Sequence, residues 1–93
     1  MKVLFKESFL KRLENQIEYI SSDSPKRARK FKNDLLNRIK EIAENPYRCR
    51  KSIYFEDSNI RDLIFKGYTV VFRINANQIE VFGFVKYQKN PTD

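Results

Sequence analysis

The chain contains no histidine and no tryptophan, and it has one cysteine and two glycines among its 93 residues. Without histidine, Ser-His-Asp and Cys-His nucleophiles and imidazole metal sites are excluded. A single cysteine forms neither an internal disulfide nor a thiolate zinc cage, a usage typical of the reducing cytosol. Two glycines leave no room for a P-loop or a dinucleotide fingerprint. Any catalysis must therefore use lysine, arginine, tyrosine or carboxylate side chains.

Long apolar runs are also lacking. No stretch approaches the roughly 20 apolar residues of a membrane-spanning helix, and the apolar part of residues 1–7 is too short for a signal peptide. We therefore expect a cytoplasmic protein without membrane contact. No carboxylate constellation suggests a metal site, and we expect no cofactor.

Acidic residues are the scarcer charge. The sequence has 19 Lys+Arg and 12 Asp+Glu, a formal net charge of +7, and a pI near 9.7. The length suits one compact domain over residues 1–93 and leaves no room for a second. The positive charge predicts a polyanionic or acidic partner, which can be nucleic acid, the ribosome or an acidic protein.

Two apolar stripes with helical spacing follow a short predicted strand at residues 2–6. They predict one helix from about Glu7 to Ser21 and a second that ends near Asn45. Ser24 is the predicted N-cap of the second helix, with Pro25 at its first position. The short connection implies an antiparallel helical hairpin.

The second half of the chain has the patterns of strands and tight turns. Strands are predicted at 61–66, 68–74 and 79–85, and residues 52–55 form either a short strand or an irregular approach to the sheet. Asn75-Ala76-Asn77-Gln78 is a predicted hairpin turn, because Asn tolerates left-handed backbone. The fold class is therefore α+β, in the order β-α-α-β-β-β, with the helical hairpin packed on one face of a small, mostly antiparallel sheet.

Alternation along the strand at 68–74 separates the two faces of the predicted sheet. Tyr68 and the residues two, four and six positions after it are expected to meet the helices. Thr69, Val71 and Arg73 are expected to line an open face, which is the natural place for a binding surface. Arg73 is either a ligand contact there or half of a cross-strand pair with Glu80.

A cluster of cations opens the second helix, where cations oppose the helix dipole. Its members are Lys26, Arg27, Arg29, Lys30 and Lys32. The cluster is either a contact for an acidic partner or phosphates, or a solvated face that keeps a small protein soluble. The placement runs against local energetics, so we retain Lys26, Arg27, Arg29 and Lys30 as candidate binding residues.

Further candidates lie near and beyond the strands. Lys86, Tyr87 and Lys89 follow the last strand, where an aromatic between two bases can stack on a nucleobase or donate a phenolic proton. Arg61 is a further candidate for binding, and alternation directs it away from the face of Asp62. Cys49 stands between two arginines, which are expected to lower its pKa.

Four short motifs in the second half share their order and spacing with a known family. They are Arg61-Asp62-Leu63, Gly67-Tyr68-Thr69 with its strand, the apolar run at 79–85, and Lys89-Asn90-Pro91. With the element order and the length, they make the chain resemble the RelE/ParE superfamily of bacterial type II toxins. The resemblance covers nearly the whole chain. It implies a toxin that arrests growth when free and is held inactive by an acidic antitoxin, whose binding the net charge would accelerate.

The superfamily contains two activities. RelE-like toxins cleave mRNA on the ribosome without metal or histidine, using basic side chains to deprotonate the 2′-hydroxyl and stabilise the phosphate charge. ParE-like toxins inhibit DNA gyrase. The cleaving branch expects lysines where this chain has Ile60 and Asp62, and arginine where it has Thr69. Lys89 is the nearest match to a further arginine, and the ending Lys89-Asn90-Pro91 is similar to the ParE-like branch.

We therefore predict a type II toxin, with ParE-like inhibition of DNA gyrase favoured over RelE-like cleavage of mRNA on the translating ribosome. Whether the chain is an enzyme stays open at this point. The catalytic candidates for a nuclease are Lys66, Arg73, Lys86, Tyr87 and Lys89. A third alternative, a basic nucleic-acid-binding module, needs stacking aromatics on the open face, and Thr69, Val71 and Arg73 make a poor platform.

Overall fold

The computed structural model describes residues 1–86, so Tyr87, Lys89 and the Asn90-Pro91 ending lie outside the described residues. Four strands and two α-helices follow one another in the predicted order, and a 3₁₀ turn (Pro46–Arg48) and a short fifth strand are added after the second helix. The elements are β1 (Lys2–Phe5), α1 (Glu7–Asp23), α2 (Pro25–Ala43), β2 (Arg50–Lys51), β3 (Ile60–Phe65), β4 (Tyr68–Asn75) and β5 (Gln78–Lys86). Within residues 1–86 no helix is long and apolar enough to cross a membrane.

The break between the two helices is built by Ser24, as its sequence context predicts. Its backbone N–H donates to the Ile20 carbonyl at the end of α1, at 2.9 Å. Its hydroxyl accepts from the Arg27 N–H at 3.2 Å, which satisfies one of the orphan donors at the start of α2. Pro25 occupies the first helical position, where a missing N–H costs nothing. One residue thus ends one helix and begins the next.

The sheet has the strand order β1-β5-β4-β3-β2. Strands β2 to β5 pair antiparallel, each with the next along the chain. At one edge of the sheet β1 pairs parallel with β5. A bulge in β5 shifts the register opposite Val71 and Phe72. Gly83 lies beside this bulge, where a Cβ atom would approach the Val71 Cβ to 2.9 Å. Only glycine allows β4 and β5 to come this close.

Both helices pack on one face of the sheet, and the core lies between them. The predicted inward set of β4, Tyr68, Val70, Phe72 and Ile74, belongs to this core. The α2 stripe of Ala28, Phe31, Leu35, Ile39 and Ile42 is buried throughout. The predicted α+β arrangement, a helical hairpin on a mostly antiparallel sheet, is therefore confirmed.

The opposite face is less open than its sequence pattern predicts. Thr69 and Val71 are each only 3 % exposed, and Arg73 alone of the three predicted residues is exposed. The chain between β2 and β3 runs irregularly across this face, and the Phe55 ring packs edge-on against Phe82 with centroids 5.7 Å apart. Of the two alternatives for residues 52–55, the irregular approach to the sheet is therefore correct.

The hairpin turn before β5 also differs in detail from its prediction. The residue with left-handed backbone is Ala76, at a φ of 50°, rather than one of the asparagines. Strand pairing closes at Asn75 and Gln78, so the turn lies where it was predicted. The register of the two flanking strands, rather than the preference of asparagine, sets which residue takes the left-handed conformation.

Candidate functional site

A groove of ≈ 500 Å³ opens on the sheet face opposite the helices, at the end where β3 turns into β4. We call it the sheet groove; its lining is Arg50, Ile53, Tyr54, Ile64, Gly67, Thr69, Val85 and Lys86. The strand register places Ile64, Thr69 and Val85 in one row across β3, β4 and β5. Ile53 and Ile64 remain largely exposed there. The groove therefore has an apolar floor with two cations, Arg50 and Lys86, beside it.

Arg50 is fixed beside the groove by the carboxylate of Asp62, its register partner on β3. The Arg50 Nε and Nη2 atoms donate to Asp62 Oδ2 at 3.3 and 3.2 Å. The same oxygen accepts the Ile53 backbone N–H at 3.1 Å. Asp62 is 2 % exposed, and its Oδ1 has no hydrogen-bond partner within residues 1–86. One buried carboxylate thus holds both the groove arginine and the covering segment.

The guanidinium of Arg61 donates hydrogen bonds to backbone carbonyls of the neighbouring loops. Its Nε donates to the Ser58 carbonyl at 2.9 Å, and Nη1 donates to the carbonyls of Cys49 and Tyr47 at 3.0 and 3.3 Å. Its guanidinium also lies 5.0 Å from the centroid of the Tyr47 ring. These contacts give Arg61 a structural role in shaping the loops, and a contact between Arg61 and a partner stays a prediction. Arg61 and Asp62 do not pair with each other, as alternation predicts.

The described cations proposed for nuclease chemistry do not converge. Lys86 pairs in register with Tyr68 at one end of β4, whereas Arg73 lies five residues further along that strand. At 3.4 Å per residue the two backbone positions are about 17 Å apart. Lys66 lies at the same end as Lys86, but its ammonium turns to the Asp34 carboxylate of α2 at 3.1 Å. Tyr87 and Lys89 lie outside the described residues.

Arg73 and Glu80 are register partners on adjacent strands, but within residues 1–86 they form no ion pair. The Glu80 carboxylate instead contacts the Lys6 ammonium at 3.7 Å and accepts from the Asn75 amide at 3.3 Å. The Arg73 side chain is exposed to solvent. Of its two predicted roles, the ligand contact is the one that this geometry leaves open.

The three positions where the cleaving branch carries cations hold buried side chains that are not cationic. Ile60 and Thr69 are each 3 % exposed, and Asp62 is engaged with Arg50. Ile60 and Asp62 point to the same sheet face as Thr69, because each pairs in register with an outward residue of β4. This face therefore presents no catalytic cation at the expected places.

Asp34 links Lys30, a member of the cationic group at the start of α2, to Lys66 in the turn between β3 and β4. Its Oδ2 atom lies 3.2 Å from the Lys30 ammonium, one turn earlier, and 3.1 Å from that of Lys66. Hydrogen bonds from Lys66 and then Lys30 hold the pKa of Asp34 below its ordinary value. The carboxylate therefore stays charged at neutral pH and holds both ammonium groups together. The remaining cations of the cluster, Lys26, Arg27, Arg29 and Lys32, are exposed.

Cys49 differs from its prediction. Burial raises the pKa of its thiol, and the opposing effect of nearby Arg38 and Arg61 is smaller. The expectation that flanking arginines lower its pKa was therefore wrong, because the side chain packs against the core instead of facing them. A thiol in this state is a poor nucleophile.

Sequence reasoning did not find Arg50, Tyr54 or Ile64 as groove residues. The available signal was the apolar run Ile53-Tyr54-Phe55, which follows three cations and precedes two acids. Such a run on a connecting segment must cover something or bind something. Its location over the sheet depends on Asp62, which lies nine residues after Ile53, and no local pattern encodes that contact.

A family comparison covers nearly the whole chain. The family model of the ParE toxin of the type II toxin-antitoxin system, parDE, matches residues 3–90. None of the curated proteins matches the chain. The match spans all of the described strands and helices except Lys2, the first residue of β1, and it agrees with the resemblance carried by the Arg61-Asp62-Leu63 and Gly67-Tyr68-Thr69 motifs. The chain belongs to the ParE toxin family of type II toxin–antitoxin systems.

Proposed function

We propose that this toxin arrests growth by inhibiting DNA gyrase and that it does so without cleaving nucleic acid. Membership of the family makes the chain the toxin of a type II module with an antitoxin partner. The choice of target rests on one observation. The positions that supply cations to an RNA-cleaving site are occupied by the buried residues Ile60, Asp62 and Thr69.

Metal-free RNA cleavage requires a base at the 2′-hydroxyl and cations at the scissile phosphate. A carboxylate on the same face repels that phosphate and offsets the charge of its partner Arg50. Lys86 and Arg73 lie at opposite ends of β4, too far apart to reach one phosphate together. Binding to a protein target requires no such convergence of cations.

Support for the antitoxin contact comes from the sheet groove. Ile53, Tyr54 and Ile64 expose apolar surface beside Arg50 and Lys86. Protein interfaces typically place apolar and aromatic anchors at the centre and charges at the rim. We propose that an acidic segment of the antitoxin seats an apolar side chain in this groove, with its carboxylates against the two cations.

One observation favours the second candidate, a RelE-like ribonuclease. Arg50, Tyr54 and Lys86 all line the sheet groove, and a phenol in one groove with two cations is a set of groups suited to acid–base work on a phosphodiester. The gyrase proposal ranks above it because Asp62 occupies the Arg50 guanidinium. A plain nucleic-acid-binding module ranks below both, because Thr69 and Val71 are buried and offer no stacking platform.

Induction of the toxin in growing cells separates the two targets. We expect incorporation of labelled thymidine to fall before incorporation of labelled amino acids, because gyrase arrest blocks replication first. The variant Tyr54→Phe, which removes the phenolic proton and keeps the ring, is expected to arrest growth as the wild type does. Co-expression of the antitoxin is the control. If amino-acid incorporation falls first and Tyr54→Phe is harmless, the ribonuclease candidate replaces this proposal.

A further inference from the structure

The start of α2 and the turn between β3 and β4 together build a second cationic surface, separate from the sheet groove. We call it the basic face and define it by Lys26, Arg27, Lys30 and Lys66. Arg27, Lys30 and Lys66 line one shallow depression of ≈ 260 Å³, together with Ile20 and Phe31. Arg27 and Lys30 are three residues apart, so they lie on one side of the helix.

The basic face has a fixed geometry. Lys66 has left-handed backbone with a φ of 45°, a conformation that lysine rarely adopts. Its ammonium and that of Lys30 both contact Asp34 Oδ2, which sets the two groups side by side although they are 36 positions apart in the sequence. One carboxylate serves two ammonium groups, so the surface keeps a net positive charge. Lys66 and Gly67, whose φ is 84°, form the two-residue turn between β3 and β4, and a turn of this kind requires left-handed backbone at both positions.

Lys30 and Lys66 are paired with Asp34, but local stability does not explain why Lys26 and Arg27 open the helix. The first turn of α2 contains no acidic residue, although an acid there would interact favourably with the helix dipole. Lys26 and Lys30 are four residues apart, a spacing at which like charges repel. Repulsion of this kind is relieved when an anion binds, and binding of a polyanion gains further by releasing counterions.

The chemistry of the basic face selects phosphate over protein as its partner. The described part of α2 contributes no exposed large apolar side chain, whereas the sheet groove exposes Ile53, Tyr54 and Ile64. Protein interfaces need an apolar or aromatic centre. Contacts to the backbone of nucleic acid are polar and cationic. The two surfaces therefore suit two different classes of ligand.

We propose that the basic face binds the phosphodiester backbone of duplex DNA without regard to base sequence. The inference deepens the proposed function, on which its biological setting rests, because gyrase holds duplex DNA and a toxin bound there has phosphates within reach. Arg27, Lys30 and Lys66 each contact a phosphate, and Asp34 positions the two lysines. The DNA contact itself requires only the toxin and DNA.

The test measures binding of the purified full chain to a short fluorescein-labelled DNA duplex of mixed sequence. The salt dependence is followed between about 50 and 200 mM. The variant Arg27→Gln/Lys30→Gln/Lys66→Gln removes three proposed phosphate contacts, and the slope of log K against log salt should fall by about 3. The variant Lys2→Gln/Lys11→Gln/Arg12→Gln removes the same number and types of charge elsewhere, and its slope should match the wild type.

The single variant Lys66→Gln and the double variant Arg27→Gln/Lys30→Gln are measured alongside, with slope decreases of about 1 and about 2 expected. All these side chains are exposed, and thermal melting confirms that each variant is folded. Equal losses in both triple variants would overturn the proposal, because binding would then follow net charge alone. Unchanged DNA binding with weakened antitoxin binding would also overturn it and assign the face to the antitoxin.

Failure of this inference is distinguishable from failure of the gyrase proposal. The DNA-binding assay contains no gyrase, so its slopes stand whatever the toxin does to supercoiling. Suppose that the wild-type chain leaves gyrase unaffected but the triple variant of the basic face shows the smaller slope of log K against log salt. The DNA site is then retained and the target proposal fails. If gyrase is inhibited and the wild type and the triple variant of the basic face have equal slopes, the target proposal is retained and the proposed DNA site is rejected.

Discussion

The variant Asp62→Ala is expected to lose roughly 2–4 kcal/mol of its free energy of unfolding. The Asp62 carboxylate accepts hydrogen bonds from the Arg50 guanidinium and from the Ile53 backbone N–H. Without it, the Ile53 donor loses its partner and the segment between β2 and β3 loses its anchor on the sheet. Urea denaturation followed by circular dichroism measures the change.

Two further variants separate the contributions at this site. Asp62→Asn keeps an acceptor for Ile53 but weakens the contact with Arg50, so its loss is expected to be about half that of Asp62→Ala. Glu56→Ala changes an exposed acid on the same segment, and its effect should stay within about 0.5 kcal/mol. Wild-type stability in Asp62→Ala would show that the carboxylate does not hold the segment in place.

The variant Ile64→Glu is expected to weaken antitoxin binding by about 2 kcal/mol, or roughly 30-fold. Ile64 is 53 % exposed and forms part of the apolar floor of the sheet groove. A carboxylate there must be desolvated when the antitoxin docks, and it repels an acidic partner. Isothermal titration calorimetry with the purified antitoxin gives the affinity directly.

The matched control for this prediction is Leu10→Glu. Leu10 is 46 % exposed on α1, on the helical side of the sheet, so the same change is made to a similar side chain far from the groove. Its antitoxin affinity should equal that of the wild type. Equal weakening by both variants would mean that added negative charge, and not the groove, determines the affinity.

The helices and the central strands could be predicted from the sequence because their signals are local. The apolar stripe of α2 recurs every three or four residues, and Ser24-Pro25 is a strong start signal for a helix. The inward face of β4 follows from simple alternation, because half of that strand packs against the helices. Each prediction depends on neighbours along the chain rather than on partners across the fold.

The sheet groove could not be predicted because it depends on a contact between distant residues. Asp62 lies in a strand, where alternation gives its face but does not reveal that a loop returns to cover it. The Asp62 carboxylate accepts a hydrogen bond from the Ile53 N–H and so holds that loop over the sheet. Thr69 and Val71 are therefore buried, although alternation alone places them on an open face. The same reasoning applies to Lys66, whose contact with Asp34 brings together two parts of the chain separated by 32 residues.

Inhibition of gyrase is tested directly by a supercoiling and DNA-cleavage assay with purified toxin, gyrase of the same organism, ATP and plasmid. We expect that supercoiling is inhibited, that gyrase-linked linear DNA accumulates, and that added antitoxin reverses both effects. Unchanged supercoiling at excess toxin, together with cleavage of mRNA on translating ribosomes, would contradict gyrase inhibition and identify the chain as a ribonuclease.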